Sequence, residues 1–271
     1  VDRARNLFLL LEESLKAGSA IRNREFAHAL SVVKAEGVDT LRGLLTDRIQ
    51  TSEKKPGVNA KTVGQKKYVE ARTNYRKALK MDSSSPFELY RNLLFLDQEL
   101  DDWDAIMADS KETMDKFPNQ PLPYLFNGFA NSRKKNYKEA VESFNAGLKL
   151  VVDDDKTEKD FYSNLGDTYN TMKEYSKSDE AYEKALKIDS ADAYVLNNYS
   201  YYLSLRNEKL DKAEDMSRRS NQISPANASF EDTFAWILYK QAKYSEAVKW
   251  AYKALNNGAD NNATVLEHMG D

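Results

Sequence analysis

One set of spacings restricts the fold of this chain more than any other property. Tyr162, Leu165, Gly166 and Tyr169 are followed by Tyr175, Ser178, Tyr182, Ala185 and Leu186. Intervals of three and four residues put such side chains on one face of a helix, so the stretch predicts two successive amphipathic helices. Small residues recur among the large ones. Two antiparallel helices that cross closely need small residues where the backbones approach and aromatic or aliphatic residues around the crossing. The same arrangement returns along the chain, which identifies a repeat architecture before any single element is assigned.

Upstream, Tyr124, Gly128, Tyr137, Ala140, Phe144 and Leu148 take the same places, with an excess of residues around Asp153-Asp154-Asp155-Lys156. Before them come Tyr90, Leu93, Leu94, Trp103, Ile106 and Pro118. Downstream, Leu196, Ser200, Leu203, Leu210, Ala213 and Pro225 match with one inserted residue, and Ala235, Leu238, Tyr244, Ala247, Ala254 and Leu255 follow. Leu266, Met269 and Gly270 begin another first helix. The reading is an all-α protein with an array of about five full repeats over residues 67–271, plus a truncated one at the C-terminal end. A parent protein that continues past Asp271 is expected.

Residues 1–66 are less regular. Phe26, Ala29, Leu30 and Val33, then Leu41, Leu44, Leu45 and Ile49, have helical spacing and read as an N-terminal helical cap or degenerate repeat. Tyr68, Ala71, Tyr75, Ala78 and Leu79 form a second helix of a repeat. Between these runs, residues 51–65 contain Pro56, Gly57 and Gly64 and almost no apolar content, and are expected to be an inserted loop.

From about Tyr68 to Asp271 the chain resembles the tetratricopeptide-repeat (TPR) family, most closely over Tyr162 to Ser190. The runs Asn197-Asn198-Tyr199-Ser200-Tyr201-Tyr202-Leu203, Asp232-Thr233-Phe234-Ala235-Trp236-Ile237-Leu238-Tyr239-Lys240 and Leu266-Glu267-His268-Met269-Gly270-Asp271 look like those of bacterial TPR proteins, particularly from Bacteroidetes. The resemblance implies an α-α superhelix whose first helices line a concave groove, and a scaffold or adaptor that binds a protein or peptide there. It also leans toward the bacterial periplasm or cell envelope, with the cytoplasm left open. The groove side chains it implies are Arg91, Asn92 and Phe95; Phe126, Phe129 and Arg133; and Asn164, Asp167 and Asn170. Asn197, Asn198 and Tyr201, then Trp236, Tyr239 and Lys240, complete them, with Tyr194, Asp232 and Thr233 beside them. Amides satisfy both N–H and C=O of an extended backbone, and rings supply contact area at low entropic cost. Asn92, Asn164 and Asn198 occupy equivalent places and resemble the asparagine ladder of O-GlcNAc transferase. The family's carboxylate clamp is not matched, because Phe95 and Phe126 stand where it needs polar residues.

Other chemistries lack their residues. There is no cysteine, so disulfides, thiolate zinc sites and cysteine nucleophiles are all excluded. His28 and His268 are far apart with no neighbouring ligand set, and no metal or other cofactor is expected. Asp101-Asp102-Trp103-Asp104 and Asp153-Asp154-Asp155 lack the alternating ligands, central Gly and closing Glu of a calcium loop, and read as helix caps. No phosphate-cradling glycine loop or nucleophile–base set occurs, so the chain is not expected to be an enzyme. No run approaches the roughly 18 apolar residues of a membrane span. Net charge is +8 over residues 1–80 and −11 over the remainder, but the basic residues are dispersed on helical faces, which argues against nucleic acid. Two alternatives remain: a self-associating repeat protein, or an accessory interaction domain of a longer chain.

Overall fold

The structure, a computed structural model, describes residues 60–81 and 85–259, with side chains from Lys67 to Gly258. Every regular element among the described residues is helical. They are α1 (Ala60–Met81), α2 (Phe87–Glu99), α3 (Trp103–Lys116), α4 (Pro121–Arg133), α5 (Tyr137–Leu148), α6 (Asp155–Thr171), α7 (Tyr175–Ile188), α8 (Ala193–Leu205), α9 (Leu210–Ile223), α10 (Ala228–Lys240) and α11 (Tyr244–Ala254). A wider turn, Leu255–Ala259, follows. None of these helices is long and apolar enough to cross a membrane. The expected elements at residues 1–59, His28, and the repeat begun by Leu266, Met269 and Gly270 with His268 lie outside the described residues.

One expectation changes. α1 starts at Ala60, so residues 60–65 belong to a helix and not to the inserted loop 51–65. Ala60, Lys61 and Gln65 are strong helix formers. A lone Gly64 weakens a helix by about 1 kcal/mol, too little to end it when the flanking residues favour the same state.

The chain forms two compact units, one ending at Lys135 and the other starting at Asn136. In the first, α1 packs on α2, α2 on α3, and α3 on α4, while α2 also touches α4. Ala71 and Tyr75 of α1 meet Leu93 and Leu96 of α2. The opposite side of α2 sends Leu94 against Ile106, Phe126 and Ala130, with Trp103 and Met107 at the margin.

In the second unit the helices pack in chain order, and the first helices α6, α8 and α10 also touch in turn. Layered contact of this kind buries one continuous core between pairs. Tyr182 and Ala185 of α7 meet Val195, Leu196, Tyr199 and Leu203 of α8, and Ala213 and Met216 of α9 close the cluster. Gly166 shows why the repeat needs a small residue. A Cβ there would lie 2.8 Å from the Tyr182 ring, so only glycine lets α7 approach this closely.

The acidic runs act as caps, as expected. Asp102 accepts from the backbone N–H of Ala105 at 3.1 Å, and Asp154 from that of Thr157 at 3.0 Å. Asp192 and Asn227 do the same for α8 and α10. Each occupies one of the N–H groups that a helix start leaves open. The residues before them, Asp101 and Asp153, take positive φ and turn the chain.

Candidate interaction surface

The expected surface lies on the first helices, and each unit presents its own portion. In the first unit, Arg91 and Asn92 are half-buried on α2, and the Asn92 amide donates to the Tyr75 hydroxyl at 3.3 Å. Phe95 is 43% exposed, and its ring meets Phe126 edge-on at 5.1 Å. Phe126 itself is only 6% exposed, because it faces Leu94 and Ile106 and fills the core between α2, α3 and α4. One turn further along α4, Phe129 is half-buried and Arg133 exposed. The Arg133 guanidinium lies 5.0 Å from the Phe129 centroid and 5.6 Å from that of Trp103. Those two rings meet edge-on at 5.4 Å. The family resemblance pointed to Phe129 and Arg133 as surface residues but not to Trp103, which belongs to the second helix α3 and reaches the site only through the fold.

In the second unit the amides serve the protein itself. Asn164 donates to the Asp160 carbonyl at 2.8 Å. Asp167 accepts a hydrogen bond from Tyr182, tying α6 to α7. Burial, with the nearby Asp167 charge adding to it, pushes the Tyr182 hydroxyl well above the usual tyrosine range, so it remains a donor. Asn197 is 7% exposed, and its amide reaches the Asn198 side-chain oxygen at 3.5 Å. Asn170, Asn198 and Tyr201 are half-buried, and Tyr194 projects into solvent while its ring meets Phe230. Trp236 is 8% exposed, because its neighbours cover it. Tyr239 stacks on it at 5.4 Å, and the Lys240 ammonium lies 4.2 Å from its centroid. Asp232 and Thr233 are buried as well. Phe126, Asn197 and Trp236 therefore contribute packing more than open surface.

The arrangement offers rings, amides and two ring-backed cations. Among the described residues no group of three or more His, Cys, Asp or Glu is placed to hold a metal ion.

Comparison with known proteins agrees with this architecture. The tetratricopeptide-repeat family pattern matches residues 160–192, which cover α6 from its second turn on, all of α7 and the cap of α8. The TPR repeat-containing protein PA4667 of Pseudomonas aeruginosa is 25% identical over 152 residues, 55% of this chain. That match spans 24% of the relative's own length. Among solved structures, the Cut9-Hcn1 hetero-tetramer of the APC/C superposes with a TM-score of 0.65 at 16% identity, covering 77% of this chain and 41% of the other. A tetratricopeptide repeat protein from Parabacteroides merdae gives 0.58 at 12% identity, covering 72% and 75%. YrrB, described as a TPR protein with an unusual peptide-binding site, gives 0.52 at 15%, covering 72% and 97%. At such identities the likeness is one of fold. Antiparallel helix pairs, a glycine at the close crossing of α6 and α7, and the match over residues 160–192 together give the described residues the fold of tetratricopeptide-repeat proteins and identify one such repeat by sequence.

Proposed function

We propose that the chain is a non-catalytic interaction scaffold that takes a peptide segment or partner protein against its first helices. What carries this reading is ring surface left open to water on those helices: Phe95 at 43% and Tyr194 at 67% exposure, beside half-buried Phe129, Tyr201 and Tyr239. Open rings flanked by amides resemble the central contacts of protein interfaces, where aromatic anchors supply most of the binding energy. The peptide-binding site named for YrrB is in keeping with such a use of the fold.

Photo-crosslinking tests the reading. A benzophenone amino acid placed at Phe129 or Tyr201 is expected to capture defined partners from the source cell. The same group at Tyr252, exposed on second helix α11, is expected to capture none of them. Equal capture from both sides would discard the first-helix surface. Sedimentation across a concentration range tests self-association, the competing use, and a concentration-dependent dimer that blocks the Phe129 crosslink would favour it.

A further inference from the structure

The second helix α11 carries a row of open apolar side chains. Tyr244, Val248 and Tyr252 follow one another at intervals of four residues, which sets them on one face, and they are 58%, 53% and 57% exposed. The Tyr244 ring rests against Tyr239 of α10 at 5.6 Å, a contact that restrains it before anything docks. Apolar residues exposed singly are ordinary, whereas a contiguous row of them marks a contact surface.

The same places on the other second helices of this unit are used inside the chain. On α5, where the middle residue is Val141, both Val141 and Tyr137 are half-buried. On α7, the Arg206 guanidinium lies 4.8 Å from the Tyr175 centroid, and Asp179 pairs with Arg206 and Lys209 at 2.6 and 2.9 Å. On α9, Glu214 pairs with Lys243 at 2.7 Å. Arg206, Lys209 and Lys243 all stand between the two helices of the following pair, so this row is where one pair receives the next. α7 and α9 offer a carboxylate at the middle place and receive cations. α11 offers Val248 there, and calls for an apolar counterpart. The cations beside it are already engaged, Lys243 by Glu214 and Lys253 by Glu231 at 3.0 Å, while Lys249 is exposed at the rim.

We propose that the counterpart is a second copy of this chain, with two α11 helices paired antiparallel through Tyr244, Val248 and Tyr252. The row reads the same in both directions, and this symmetry selects the occupant. A two-fold axis beside Val248 sets that residue on its own counterpart and sets each Tyr244 on Tyr252 of the second copy, so one patch completes itself. Rows spaced by four residues are also the ridges that interdigitate when two helices pack. The inference is independent of the scaffold reading, because the row lies on a second helix. Pairing through α11 would present each first-helix surface twice and strengthen binding to a partner with repeated segments.

Sedimentation velocity of the full chain tests the proposal. Two helical turns of contact make a small interface, so a weak monomer–dimer equilibrium is expected between about 1 and 300 µM. Val248→Glu and Val248→Lys each set like charges together on the axis and are expected to weaken the dimer at least about tenfold, with helical circular dichroism unchanged. Mixing the two variants is expected to restore it, since opposite charges then meet. The chain has no cysteine, so single cysteines report the register. An oxidised mixture of Tyr244→Cys and Tyr252→Cys chains is expected to give linked dimers, and neither variant alone should. A chain that stays monomeric throughout, a dimer that survives Val248→Glu, or a mixture that does not restore it overturns the proposal. Cysteine variants that link only to themselves overturn it too. A dimer lost on Phe129→Ala but kept in Val248→Glu would place self-association on the first helices, and the scaffold reading would fall with the proposal. Unchanged partner capture at Phe129 by a monomeric chain would overturn the dimer alone.

Discussion

The two units fasten their helices by different physics. Around α1, α2 and α3 the fastening is a cluster of charges. Arg72 reaches Asp102 at 2.6 Å and Asp97 at 3.3 Å, while Arg76 reaches Asp109 at 2.6 Å and Asp97 at 3.5 Å. Two guanidinium groups face three carboxyl groups, and Asp97 is 0% exposed. Burial first, then the hydrogen bond and charge of neighbouring Asp109, push Asp97 up to about 8, against the pull of Arg76 and Arg72. A proton held at neutral pH balances the excess negative charge. Asp102, held by its hydrogen bond from Arg72, is shifted below the usual carboxylate range. Between α6 and α7 the fastening is shape: Gly166 admits the Tyr182 ring, which stacks on Tyr199 at 5.0 Å and donates to Asp167. Shape tolerates pH but not added volume. The charge cluster tolerates small shifts in distance but responds to protons.

The largest expected effect comes from removing a guanidinium. Arg72→Ala removes the hydrogen bonds to Asp102 and Asp97, and loss of a hydrogen bond to a charged group costs about 1.5–3 kcal/mol. Hydrogen exchange should rise in α1–α3 and stay unchanged in α6–α7; equal protection in both would mean the cluster contributes nothing. Next, Gly166→Ala drives a methyl group into the Tyr182 ring and is expected to destabilise the second unit by roughly 2 kcal/mol. A loss below a few tenths would show that α7 moves aside freely.

The pH response comes third. Asp97 has a folded pKa above its unfolded value of about 3.8. Its contribution is therefore full below that value and declines as pH rises, until it is lost above about pH 8. From pH 6 to pH 8 the first unit is expected to lose about 1–2 kcal/mol, while exchange in α6–α7 stays level. Asp97→Asn, which imitates the protonated carboxyl, should flatten that slope and change stability at pH 7 by less than about 1 kcal/mol. A slope that survives the substitution would place the proton elsewhere. The smallest effect belongs to Lys134→Ala. It removes the exposed pair with Asp104, and such pairs contribute about 0.2–1 kcal/mol, which urea titration should bound.

Much of this was legible in spacing because the repeat imposes size at fixed places. Gly166 and Tyr182 announced a close crossing, and Asp102 and Asp154 announced helix starts. The candidate surface was legible as a set of helices more than as a set of side chains. Register placed Phe129, Arg133 and Lys240 on first helices, but it also nominated Phe126, Asn197 and Trp236, which neighbouring side chains cover. Trp103 escaped because a second helix contributes it. Nothing in the spacing marked Asp97 as buried, since an Asp on a helix is usually solvated.

The amino-acid order alone determined the helix pairs, the small residues at their crossings and the caps, because each depends on neighbours within a few residues or one repeat. Only the tertiary structure decided which side chains stay open to water, which carboxyl is pushed toward its protonated form and which cations stand on rings. Those properties arise from groups far apart in sequence, such as Arg72 with Asp97 and Trp103 with Arg133, whose distances no local pattern contains.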